Sequence, residues 1–192
     1  MLHSHYFLAI RLPEEIYKKV SFLLESFQHS LSFKKWVHPA DYHITLAFLG
    51  HPPGERHLEE LDKRIGTVIL KHEIFDLNAD HIGIFGNQSF PRIFWLGLKD
   101  SLPLQKLQEQ VFEACILSGF ELDKKTFRPH ITVARKWNDE EEYKEITELS
   151  ADIKKEALKF TVENVQLLKT SMKQTPKYET CAVYQLQRSK DK

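Results

Sequence analysis

Apolar and polar positions along the chain fall into two successive blocks of the same order. Each block opens on a short apolar run closed by proline. In the first this is Phe7-Leu8-Ala9-Ile10-Arg11-Leu12-Pro13, and in the second Phe94-Trp95-Leu96-Gly97-Leu98 followed by Ser101-Leu102-Pro103. The run predicts a strand, and the proline marks a helix start, where its missing N–H would have no partner anyway. Residues 14–27 then place Ile16, Val20, Phe22, Leu23, Leu24 and Phe27 largely at helical spacing; residues 104–117 do the same with Leu104, Leu107, Val111, Phe112, Cys115 and Ile116. Asp100 or Ser101 can cap the second helix, and Gly119 suits its end.

Further along, the first block predicts a helix over 54–70 and strands over 74–77 and 81–85, and the second a helix over the acid-rich 139–149 and strand material over 160–168. A last strand over 180–186 is the counterpart of 92–98, and the polar tail 187–192 is expected to fray. Read twice, this unit gives an α+β fold of two pseudo-symmetric lobes. Each lobe is a mainly antiparallel sheet with two helices packed on its outer face, and an active-site cleft lies between them. The chain is expected to be a single bilobal domain, 1–192, with the internal repeat roughly at 7–91 and 92–186. The loop 86–91 is too short to let the lobes move freely.

Within the repeat one hexapeptide stands out: His43-Ile44-Thr45-Leu46-Ala47-Phe48 returns as His130-Ile131-Thr132-Val133-Ala134-Arg135. A lone histidine beside a threonine in a strand is ordinarily a core or surface pair, but two matched copies in matched blocks reverse that expectation. Side chains alternate along a strand, so His43 and Thr45 share one face, as do His130 and Thr132, about 7 Å apart along the strand. The apolar residues between them anchor each strand in a core. Two imidazoles across a small polar gap suit phosphodiester cleavage: one takes a proton from water, the other gives one to the leaving oxygen. Threonine hydroxyls can support the phosphoryl oxygens as charge grows on them. No carboxylate accompanies either motif, so the chemistry is expected to need no cofactor and no metal.

Charge narrows the partner. With 27 Lys plus Arg against 27 Asp plus Glu the net charge is zero, which does not fit a protein that grips a long duplex but allows a terminal phosphate. Two cysteines, Cys115 and Cys181, exclude a disulfide framework, and Cys115 at helical spacing reads as core. Nothing approaches the roughly 20 apolar residues of a membrane span, so the chain is expected to be cytoplasmic and unanchored. A monomer is expected. Lys34, Lys35 and Trp36, like Lys124, Lys125, Phe127 and Arg128, precede a motif histidine and can either rim the cleft or form solvated loops. Asp139 to Glu142 reads as a helix N-terminus rather than a metal site. His3 and His5 make at best a poor chelate, and His38, His51, His57, His72 and His81 share no motif.

The paired His-Ile-Thr-Leu and His-Ile-Thr-Val motifs, with Phe7 to Pro13 near the start and Arg128-Pro129-His130 to Arg135 late in the chain, resemble the 2H phosphoesterase family. Leu46-Ala47-Phe48-Leu49-Gly50 and Pro129 to Arg135 are most similar to its branch of RNA 2',3'-cyclic phosphodiesterases, also called 2'-5' RNA ligases. The resemblance implies metal-independent opening of an RNA-terminal 2',3'-cyclic phosphate to a 2'-phosphomonoester, on RNA 3' ends or nucleotides. It implies His43 as proton donor and His130 as proton acceptor, an order the pseudo-symmetry leaves open. Thr45, Thr132 and Arg135 are implied as phosphate contacts and Phe48 as a base-stacking surface. Phe48 and Arg135 lie at odd offsets from their histidines, so each reaches the cleft only if its strand ends, twists or bulges first. The other readings are 2'-5' ligation, a phosphodiesterase for small cyclic nucleotide metabolites, and an RNA-end binding module with little turnover.

Overall fold

The computed structural model describes residues 4–138, 140–156 and 158–188. His3 and Asp139 lie outside them. Among the described residues nine strands join in one antiparallel sheet, in the order β7-β4-β5-β6-β3-β1-β8-β9, with β2 pairing β6 off this path. In chain order they are β1 (Tyr6–Arg11), β2 (Phe33–Trp36), β3 (His43–Gly50), β4 (Phe75–Gly86), β5 (Pro91–Leu98), β6 (His130–Trp137), β7 (Leu158–Val162), β8 (Asn164–Thr170) and β9 (Tyr178–Gln185). The helices are α1 (Glu14–Glu25), α2 (Glu55–Ile69), α3 (Leu102–Leu117) and α4 (Thr147–Glu156).

The sheet halves meet at one residue pair, Ile44 of β3 with Ile131 of β6. On one side β3, β1, β8 and β9 form a lobe covered by α2 and α3; on the other β6, β5, β4 and β7 form a lobe covered by α1 and α4. Each lobe therefore draws on both blocks of the sequence. The β4–β5 hairpin ties the end of the first block into the second lobe, while β8 and β9 return to pair with β1. Neither block could close a lobe by itself.

Helix faces follow the apolar spacing. Ile16, Val20 and Leu24 are buried from α1, Leu61, Ile65 and Ile69 from α2, and Leu104, Leu107 and Val111 from α3. Phe22 points outward. Ser101 is the N-cap of α3, its Oγ accepting from the Leu104 N–H, and Gly119 follows the helix at φ +86°, a conformation that favours glycine.

Several boundaries move. The helix expected over 139–149 forms instead as α4, because Leu149 and Ile153 supply its buried face. The segment before it is drawn onto the β4–β5 hairpin, where the Tyr143 N–H donates to the Ser89 carbonyl at 2.7 Å, and onto the end of β6, where Trp137 Nε1 donates to the Glu141 carbonyl at 2.9 Å. The 160–168 run divides at Glu163 into β7 and β8, which belong to different lobes. The two strands over 74–85 are one, β4, with an irregularity between Ala79 and His81. Strand β2, expected as loop, pairs with β6 through Phe33, Lys35 and Trp36. Gln187 is not frayed: its N–H donates to the His72 carbonyl and its own carbonyl accepts from Ile74. Among the described residues no helix is long and apolar enough to cross a membrane.

Candidate active site

The Ile44–Ile131 pair fixes where the motif residues fall. Directly opposed residues of an antiparallel pair share a face, and their neighbours share the other. With both isoleucines fully buried, the histidines and threonines on either side of the pair point away from the core, into the cleft. The antiparallel sense sets His43 on the same side of the pair as Thr132, and Thr45 on the same side as His130. A pseudo-twofold axis therefore runs through the isoleucine pair.

Both histidines are held in the same way. His43 Nδ1 lies 2.7 Å from the Asp41 carbonyl, and His130 Nδ1 lies 2.7 Å from the Arg128 carbonyl. A carbonyl only accepts, so in each ring Nδ1 carries the proton and Nε2 is left with its lone pair for chemistry. Aromatic rings wall each imidazole: Phe7 and Tyr178 pack on His43, Phe85 and Trp95 on His130. Trp95 lies so close over Gly83 that a Cβ there would come within 2.3 Å of the indole, so that position needs glycine for the wall to form.

Burial, foremost, pushes the His43 imidazole down to about 4, helped by the Arg11 and Arg135 guanidiniums and opposed by its bond to the Asp41 carbonyl. Burial likewise lowers His130, again with Arg135 contributing. The folded chain thus resists protonation where an unfolded histidine, at about 6.5, accepts it. The unfolded state binds more protons between pH 6.5 and 4, so stability falls as pH drops through that window. Urea unfolding at pH 7 and pH 4.5 is expected to show this loss, and His43→Asn to reduce it by on the order of 2 kcal/mol. An identical pH slope in the two proteins would contradict the assignment.

Phe48 and Arg135 reach the cleft by equivalent bulges. Leu8 pairs with Ala47 and Ala9 with Thr45, leaving Leu46 as an extra residue in β3; Phe94 pairs with Ala134 and Trp95 with Thr132, leaving Val133 extra in β6. Each bulge follows its threonine and reverses the alternation. Ala47 and Ala134 are consequently buried, while Phe48 is 58% exposed. The same reversal returns Arg135 to the face of Thr132, and its charge helps to lower both histidines.

A groove of about 770 Å³ opens on the Thr45 and His130 side, where Phe48, Phe85, Lys125 and Arg128 also line it. On the opposite side β2 pairs along β6, with Lys35 across from Arg135. Lys125, Phe127 and Arg128 thus border the cleft, and so does Lys35. His5 packs edge-on against Phe48, and His38, His72 and His81 are engaged by the Ala40 N–H, Gln110 and Asp80. Among the described residues no group of three His, Cys, Asp or Glu is arranged to hold a metal ion.

Arg11, Asp41 and Tyr178 escaped the sequence reading. Asp41 is only 3% exposed, and its carboxylate accepts from the N–H groups of Lys177 (2.8 Å) and Tyr178 (3.2 Å). Arg11 donates to the carbonyls of Ala40 and Tyr178. The nearest signal is position: Asp41 and Arg128 each stand two residues before a motif histidine. Because the histidine uses only their carbonyls, neither side chain is dictated by that role.

Fold and site together define a bilobal α+β protein with twinned His-x-Thr strands facing one cleft. The sequence profile of the 2'-5' RNA ligase superfamily matches residues 16–174. The chain belongs to this superfamily. The RNA 2',3'-cyclic phosphodiesterase of Bacillus subtilis (strain 168) is 31% identical over 185 residues, 96% of this chain and 98% of its own length. That of Geobacillus stearothermophilus is 41% identical over 187 residues, 97% of this chain; the match spans 58% of that relative's length. Escherichia coli LigT complexed with 3'-AMP shares the fold with a TM-score of 0.79 at 21% identity, over 96% of this chain and 99% of LigT. TT0787 of Thermus thermophilus does so at 0.78 and 22% identity, over 96% and 99%.

Proposed function

We propose that this chain hydrolyses RNA-terminal 2',3'-cyclic phosphate to a 2'-phosphomonoester by metal-independent acid–base catalysis. The observation that carries the reading is the pair of imidazoles, each tied through Nδ1–H to a backbone carbonyl and each beside a threonine in one cleft. The names of the Bacillus and Geobacillus relatives support it.

In this scheme His130 Nε2 takes a proton from water as the water oxygen bonds to phosphorus, and His43 gives a proton to the departing 3'-oxygen. The products are a 2'-phosphate and a free 3'-hydroxyl. Because both rings are held unprotonated in the free site, the proton on His43 depends on the substrate: its phosphodiester anion offsets the burial and the Arg135 charge that lower the ring. Thr45, Thr132 and Arg135 hold the phosphoryl oxygens, and Phe48, exposed along the groove, stacks the terminal base. The substrate is an RNA 3' end or a nucleotide, handled by one bilobal monomer in the cytoplasm.

Digestion of a short RNA ending in a 2',3'-cyclic phosphate, after exhaustive EDTA treatment of the protein, tests this. Full activity with a 2'-phosphate product is expected. A cyclic end left intact refutes the reading, loss of activity to EDTA refutes its metal independence, and a 3'-phosphate product refutes the leaving group.

A further inference from the structure

Each imidazole has one edge-on aromatic neighbour, and the two neighbours differ by one oxygen atom. Phe85 meets His130 edge-on, with ring centroids 4.8 Å apart at 89°, and Tyr178 meets His43 in the same way at 5.1 Å and 85°. A plain phenyl ring therefore suffices for this contact on the His130 side. The hydroxyl on the His43 side is extra, and among the described residues it makes no hydrogen bond and is not sealed from solvent.

Its placement is tightly specified. Tyr178 begins the last strand, opposite Thr170, and both of its backbone polar groups are clamped by charged side chains from the start of the chain: its N–H by Asp41 and its carbonyl by Arg11. Holding a carboxylate in a buried position is costly, and it is tolerated only where its hydrogen bonds are well made. The Tyr178 ring covers Phe7, Ala9 and Leu168, the cleft-side floor of this lobe. Phe7 lies opposite Phe48 and Ala9 opposite Thr45, so that floor is continuous with the motif face. The Tyr178 ring itself packs edge-on against His43; burial raises its phenol, and the Arg135 guanidinium, which also lowers both histidines, opposes that rise.

We propose that Tyr178 is a further catalytic residue, its hydroxyl donating a hydrogen bond to a phosphoryl oxygen of the substrate beside His43, with Asp41 as the positioning residue that clamps it there. This rests on the phosphodiesterase reading. The phenol stays protonated throughout and exchanges no bond with phosphorus. Its hydrogen bond strengthens as charge builds on the phosphoryl oxygens in the five-coordinate state, so it acts chiefly on turnover.

Tyr178→Phe removes only the hydroxyl and keeps the ring, both backbone clamps and the His43 contact. On a nucleoside 2',3'-cyclic phosphate kcat is expected to fall roughly 10- to 100-fold while KM moves less than about threefold. The urea midpoint is expected to stay unchanged, and the dissociation constant for inorganic phosphate, a dianion that carries the added charge the cyclic diester reaches only in the five-coordinate state, to rise roughly tenfold. A kcat within about twofold of wild type overturns the role of Tyr178. A wild type that opens no 2',3'-cyclic phosphate refutes the phosphodiesterase reading instead, and phosphate titration then decides separately. Equal phosphate affinity in the two proteins overturns this proposal, and weaker binding by Tyr178→Phe supports it.

Discussion

Replacing either motif histidine with alanine is expected to lower kcat on a 2',3'-cyclic phosphate by about 10²–10⁴, the range of a positioned acid or base. Stability at neutral pH should change little, because each ring makes one hydrogen bond, to a carbonyl that water can take over, and packs beside rings that remain. The double variant should be scarcely slower than the slower single variant, since both groups act on one displacement. Leaving-group chemistry separates the roles. A phosphodiester that releases p-nitrophenolate needs no proton on its departing oxygen, so it bypasses the acid but still needs the base. With His43 as donor, His43→Ala regains most of its loss on that substrate and His130→Ala does not. The opposite pattern exchanges the two roles, and no loss in either variant removes both from the reaction.

The twinned motifs were legible because they are local: an imidazole and a hydroxyl two residues apart on a strand share a face whatever the strand is packed against. Their mutual approach was legible only through the repeat. What stayed hidden depends on pairing. Regular alternation places Phe48 and Arg135 on the core side, and extra residues at Leu46 and Val133 bring them round. The trace of those bulges in the sequence is a second apolar residue in succession, Leu46-Ala47 and Val133-Ala134, which reads equally well as a deeply buried strand. Similarly, the change of phase from Leu158, Phe160 and Val162 to Val165 and Leu167 marks the crossing between lobes at Glu163, but the apolar run looks continuous. Four acidic residues suggested a helix start, yet the buried pair Leu149 and Ile153 decided where α4 lies. The clamp of Arg11 and Asp41 on Tyr178 joins the two ends of the chain and has no local signature.

That clamp carries the largest expected effect on stability. Asp41→Ala removes a carboxylate that is almost wholly buried and leaves the N–H groups of Lys177 and Tyr178 without acceptors. It also strips a compensating charge from Arg11, which is partly buried and whose Nε has no hydrogen-bond partner among the described residues. Breaking such an arrangement from one side costs about 3–5 kcal/mol, read as a lower urea midpoint at pH 7. Asp41→Asn, which keeps one carbonyl acceptor of the same size, should lose about half as much. Arg128 provides the contrast. It occupies the matching place before His130, and among the described residues only its carbonyl is engaged in a hydrogen bond, so Arg128→Ala should stay within about 0.5 kcal/mol of wild type. If Asp41→Ala also stays within about 1 kcal/mol, the buried carboxylate is not what holds the start of β9 in place. The start of β9 would then be held by packing alone, through Phe7, Leu168 and the Tyr178 ring.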